Sequence, residues 1–150
     1  MVSDTNKFQN IGHELETLLT ELTDSDDNKV FENVLLGFPE DQFRGFTFPL
    51  AICYVKGANY LSDTFQKRNT PEYIDSVIGA IVTGDTKSRY EKIVQIMDII
   101  QEKFETSNDW ISLNNTVRLT KISDSALTIM EQGDNLASVA IFTLKHHVYK

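Results

Sequence analysis

Apolar positions in the first part of the chain fall at helical spacing. Phe8, Ile11, Leu15, Leu18, Leu19 and Leu22 recur every three or four residues, which lines one face of a helix from about residue 5 to 23. Thr23-Asp24-Ser25-Asp26-Asp27-Asn28 stops it, because short polar side chains bond to their own backbone in turns. Val30-Phe31-Glu32-Asn33-Val34-Leu35-Leu36 then reads as a first strand within 29–37, and Phe48 to Val55 as a second. Gly57-Ala58-Asn59 is a turn signal, and residues 59–71 read as a polar connection. From Glu72 to Thr83 the period is two. Ile74, Ser76, Ile78, Ala80 and Val82 share one face, with Tyr73, Asp75, Val77, Gly79 and Ile81 on the other. Apolar residues on both faces predict a central strand covered on both sides.

Period 3.6 returns after Gly84-Asp85. Tyr90, Ile93, Val94, Met97, Ile100 and Phe104 form a long stripe, broadened by Ile96 and Ile99. Ser88-x-x-Glu91 has the form of a capping box, with Asp85 or Thr86 as alternative caps. Ser107-Asn108-Asp109 closes this helix. The last third alternates again, predicting strands over Leu113 to Ile122, Ala126 to Glu131 and Leu136 to Tyr149, with a turn at Gln132-Gly133-Asp134-Asn135. The order is helix, three strands, helix, three strands, in a single domain spanning residues 1–150. Runs of strands predict an α+β fold, a mostly antiparallel sheet of about five to six strands with two main helices packed on one face.

Composition narrows the function classes. The chain has 150 residues, 41% hydrophobic and 24% charged, which suits one globular domain with a real core. Its apolar runs fall far short of a bilayer span. The polar segment Met1 to Lys7 lacks the apolar stretch of a secretion signal, so a cytosolic protein with no membrane partner is expected. A net charge of −8 argues against general binding to a phosphate backbone. The basic candidates are Lys67-Arg68 and Lys145-His146-His147 with Lys150, neither dense, and both read as solvated surface.

No pattern of catalytic residues stands out. Cys53 lies inside the apolar run Leu50-Ala51-Ile52-Cys53-Tyr54-Val55, where a thiol packs as a small hydrophobe. His146 and His147 point to opposite faces of a strand, and His13 has no His or Glu four residues on, so no metal is expected. The acidic run 23–28 lacks the glycine and terminal glutamate of a calcium loop. Phosphate-loop, dinucleotide-binding and serine-elbow motifs do not occur. No catalytic residue and no cofactor are assigned, and Asn114-Asn115-Thr116 reads as a chance sequon.

What remains is a phenylalanine-rich stretch. Phe38, Phe43, Phe46 and Phe48 lie within eleven residues that Pro39 and Gly45 interrupt and Pro49 follows. Aromatics in such a segment pack on the core or anchor another subunit. Together with the polar connection, this stretch gives the predicted subunit or partner interface. Its first part is Phe38, Phe43, Arg44, Phe46 and Phe48; its second is Lys56, Asn59, Tyr60, Phe65, Lys67 and Arg68.

The order of elements carries a resemblance. A leading amphipathic helix precedes Phe46-Thr47-Phe48-Pro49-Leu50-Ala51-Ile52, and a long strand runs into a helix just after Gly84-Asp85. Asn108-Asp109-Trp110 then leads to paired strands ending in Leu136 to Leu144. From about Phe8 to Tyr149 the chain resembles the tail-terminator (tail-completion) proteins of long-tailed bacteriophages, and more broadly the neck proteins joining head to tail. The stretches 37–48 and 59–71 are longer than that pattern requires. The resemblance implies a structural virion protein forming a homohexameric ring at the head-proximal end of the tail tube. Such a ring ends tube polymerisation and provides the docking surface for the head–tail connector. It implies the tail-tube protein, the connector and other copies as partners, with DNA only as passing cargo. Its place is the virion tail or neck, and the host cytoplasm during assembly. Two other classes stay open: a small cytosolic binding or adaptor module without catalytic activity, and an enzyme, which requires a concave pocket with converging titratable groups.

Overall fold

A computed structural model describes residues 6–37, 45–60, 71–132 and 135–148. The elements are α1 (Lys7–Glu21), β1 (Asn33–Leu36), β2 (Leu50–Tyr60), β3 (Pro71–Thr83), α2 (Thr86–Thr106), α3 (Asn108–Ile111), β4 (Leu119–Gln132) and β5 (Asn135–His147). The five strands form one sheet in the order β1-β2-β3-β5-β4. β1 runs parallel to β2, and every other pair is antiparallel. The fold is α+β, a five-stranded mixed sheet with two long helices and one short one, in line with the expected class.

Helix α1 packs on β1 and β2, and α2 on β3 and β5. Ile11, Leu15, Leu19, Ile93, Ile96 and Ile100 join Ala51, Cys53, Ile78, Ala80, Phe142 and Leu144 in the main core. Ala51, Ala80 and Ala140 stand side by side across β2, β3 and β5, wholly buried. This row of small side chains leaves room for helix side chains to pack closely over the sheet. β3 is the central strand, and its two faces divide as the alternation predicts. Ile74, Ile78, Ala80 and Val82 enter the main core, while Ile81 joins a second cluster on the opposite face.

Local chemistry explains the helix ends. Asp85 caps α2, its side chain accepting from the Ser88 backbone N–H at 2.9 Å, which satisfies a donor the helix cannot pair. Ser88 is therefore not the cap. The acidic run after α1 is a turn in which Asp24 Oδ1 accepts from the Asp26 and Asn28 amides. The pairing of Thr23 with Lys29 closes it.

Several expectations need correction. The last third holds two strands, not three: 119–132 is one continuous strand with an irregularity between Ile122 and Asp124. Residues 113–118 are no strand, because Leu113, Asn114 and Asn115 have positive φ of 47°, 53° and 69°. Asparagine tolerates that conformation and leucine does not; Leu113 is held there by complete burial. Gly57-Ala58-Asn59 is not a turn but lies inside β2, at two register shifts. The first strand shortens to Asn33–Leu36. On α2 the buried stripe is Arg89, Ile93, Ile96, Ile100 and Phe104, leaving Tyr90 exposed, and Phe8 on α1 is exposed as well.

Candidate assembly surface

The residues named for an interface do not form one surface. Phe46 and Phe48 are half-buried and pack against the second cluster, formed by Leu50, Ile52, Ile81, Ala137 and Val139 on the helix-free face of the sheet. They act as a partial roof over that face, next to the half-buried Tyr54 and Ile141. Lys56, Asn59 and Tyr60 are exposed at the other end of β2. An eleven-residue strand puts about 33 Å between its ends at its usual rise, so the two groups are separate. Asn59 is not free for a partner, since its amide donates to Asp75 Oδ2 at 3.0 Å. Phe38, Phe43, Arg44, Phe65, Lys67 and Arg68 lie outside the described residues, as does Lys150.

The C-terminal basic candidate comes apart on the strand. Lys145 and Tyr73 lie together, the ammonium 4.5 Å from the ring centroid, a cation–π contact. His147 tilts against the same ring at 5.8 Å. His146 points the other way and is wholly buried. Its Nε2 meets Ser76 Oγ at 2.5 Å and its Nδ1 meets Thr120 Oγ1 at 2.7 Å, so one polar chain ties β3, β5 and β4 together. A neutral imidazole has one donor and one acceptor, so one hydroxyl donates and the other accepts. Burial pushes the His146 pKa down to about 3, with a smaller effect of the charge on His147. Ser76 is also wholly buried, so this serine–histidine contact has no route to a substrate. The sequence did carry a signal for it, because His146 shares strand parity with Ala140, Phe142 and Leu144.

Other candidate chemistry resolves the same way. Burial, reinforced by the charge on Glu16, pushes the Cys53 thiol up to about 12, so it is protonated at neutral pH. Among the described residues no three His, Cys, Asp or Glu side chains gather as a ligand set, and no helix is long and apolar enough to cross a membrane. A cleft of about 340 Å³ lies between α2 and the start of β4, lined by Gln101, Phe104, Glu105, Ile111 and residues 119–122. It holds one carboxylate and one ammonium rather than a converging set.

The surface features that remain are the sheet's edges. β4 is a long edge strand of 14 residues, with no strand on its outer side among the described residues. Residues 123–129 of β4 are exposed on both faces, because the two helices cover β1, β2, β3 and β5 but reach β4 only weakly. Natural proteins blunt such edges or pair them. The sequence matches no protein-family model and no curated protein.

Proposed function

We propose that the protein is a structural subunit of a long-tailed bacteriophage that closes the tail tube. Copies assemble into a ring at the head-proximal end, stop tube growth and offer the next docking surface to the head connector. The observation that carries this reading is the two-sided sheet. One face is coated by α1 and α2, the other carries a buried apolar cluster partly roofed by Phe46 and Phe48, and the sheet ends in the long exposed edge strand β4. A ring subunit needs surfaces of this kind, because head-to-tail contacts must close around an axis. The element order described above supports the assignment to a tail, and a net charge of −8 suits a channel wall over which DNA slides without sticking. The reading assigns no catalysis, and the contact between Ser76 and His146 is sealed in the core.

The test is tube growth in the presence of the protein, using the tail-tube subunit of the same virus and electron microscopy. Substoichiometric protein should shorten tubes and leave a ring at one end only. Unchanged tube lengths, or protein spread along the tube wall, would overturn the reading in favour of an adaptor.

A further inference from the structure

Seven large apolar side chains are exposed among the described residues: Phe8, Leu36, Tyr60, Tyr90, Leu127, Ile129 and Leu136. Scattered exposure of this kind is ordinary, but six of these seven fall at the two opposite edges of the sheet. At the β4 edge, Leu127 pairs with Ala140, Ile129 with Ser138 and Leu136 with Glu131. Cross-strand partners share a face. Ala140 belongs to the helix-side core, and Ser138 accepts from Arg89 of α2 at 3.0 Å, so all three side chains stand on the helix side. Gln101 of α2 faces the same edge across the cleft with Leu119 to Ile122. Tyr90, Val94 and Met97 share its flank of the helix, at steps of four, three and four residues. Tyr90 and Ile129 are the most exposed of the set, at 57% and 62%.

The other edge bears the matching patch. A Cβ on Gly12 of α1 would stand 3.2 Å from Leu36 Cδ1, so α1 lies against the end of β1. Phe8 is one turn before Gly12 on the same flank. Leu36 and Phe8, 42% and 44% exposed, therefore form an apolar patch on the helix side of the β1 edge.

Strand register fixes the relative height of the two patches. The row through Val34, Ala51, Ala80 and Ala140 ends at Leu127, and the next helix-side row runs from Leu36 through Cys53, Ile78 and Phe142 to Ser125. The patches thus lie on one face at opposite edges, the row of Leu36 ending at Ser125, two residues from Leu127, four from Ile129 and six from Glu131, the partner of Leu136, or roughly 7 to 20 Å along the strands. The geometry points to a head-to-tail contact between copies of this chain, the β4 edge of one protomer seated against the α1–β1 edge of the next. The occupant's complement is on the same chain, and a contact between unlike edges repeats from copy to copy, as a closed ring requires. The area fits too. Tyr90, Leu127, Ile129 and Leu136 expose on the order of 400 Å², about half of what one partner contributes to a standard interface. The polar length of β4 supplies the remainder.

This contact rests on the self-assembly half of the proposed function, and the test separates the two. Sedimentation at high micromolar concentration compares the full chain with Ile129→Lys and Leu36→Glu, both at exposed positions, with circular dichroism to check folding. Tyr90→Glu and Phe8→Glu repeat the test on the helices. The wild-type chain should be oligomeric, and each variant monomeric with self-association at least ten-fold weaker. Mixing one β4-edge variant with one β1-edge variant should give a heterodimer and nothing larger, because only one good pair of edges remains. Assembly that survives Leu36→Glu but not Ile129→Lys means β4 pairs with itself, and overturns the proposal. So does wild-type-like assembly of all variants, or a monomeric wild type. A monomeric wild type that still caps tail tubes overturns this contact but not the tail reading. An edge-dependent oligomer that leaves tubes uncapped does the reverse.

Discussion

His146 makes stability depend on pH in a way that can be worked out from its surroundings. The imidazole is wholly buried and bonded to Ser76 and Thr120. Its pKa is about 3 in the fold against an ordinary 6.5. The folded value lies below the unfolded one, so the unfolded chain binds the extra proton. The contribution is complete above about pH 6.5 and is lost as pH falls toward 3. At pH 5 the loss depends almost entirely on the unfolded value, provided the folded one stays well below 5, and comes to about 2 kcal/mol. Urea unfolding between pH 7 and 5 measures it by comparing wild type with His146→Leu. The variant leaves the Ser76 and Thr120 hydroxyls without their partner, at a pH-independent cost of about 1–3 kcal/mol for each buried group. It should therefore start lower at pH 7 but lack the roughly 2 kcal/mol decline attributable to this site. His146→Gln, which keeps a donor and an acceptor, serves if the leucine variant does not fold. Equal declines in wild type and variant would refute the reasoning. So would a His146 ring signal that titrates above pH 5 in the native protein.

Two further outcomes follow from close packing. A Cβ at Gly79 would stand 2.8 Å from Ile52 Cγ1, so Gly79→Ala should destabilise by about 1–3 kcal/mol, the usual cost of overpacking. Combined with Ile52→Ala it should cost less than the two changes summed, and strict additivity in denaturant titrations would contradict the contact. Cys53, buried with its thiol pushed up to about 12, should react with a thiol reagent at neutral pH only through opening of the fold. Its labelling rate should then rise with urea in step with the unfolded fraction, whereas rapid stoichiometric labelling in native buffer would show that the site is accessible.

Strong periodicity was readable, and weak periodicity was not. Period two in β3 placed Ile74, Ile78 and Ala80 on one face and Ile81 on the other, because a central strand must satisfy two apolar layers. The α2 stripe holds from Ile93 to Phe104 and differs at its start, where Arg89 rather than Tyr90 is buried. Arg89 looks polar in sequence, yet it is buried with its guanidinium donating to Ser138 Oγ, the Gly84 carbonyl and the Leu136 carbonyl, partners brought by β5 and the preceding turn. Leu113 to Arg118 alternates like a strand but turns instead, since the Asn114-Asn115 pair accepts the left-handed backbone. The expected interface joins the phenylalanine-rich stretch to the polar connection after β2. Of its described residues, Phe46 and Phe48 roof the second cluster, while the exposed edge patches come from residues that read as ordinary core positions.

The sequence by itself determined the α+β class, both long helices, the central strand and the inert setting of Cys53, because each follows from spacing within a single element. The tertiary structure decided what depends on which elements end up as neighbours. It placed β4 at the sheet edge, where α2 reaches it only weakly, and so left Leu127 and Ile129 exposed although their alternation resembles that of buried strands. It also buried His146 between Ser76 and Thr120, residues 70 and 26 positions away. Burial is a property of the neighbour across the gap, and local periodicity records only which side of an element a residue occupies.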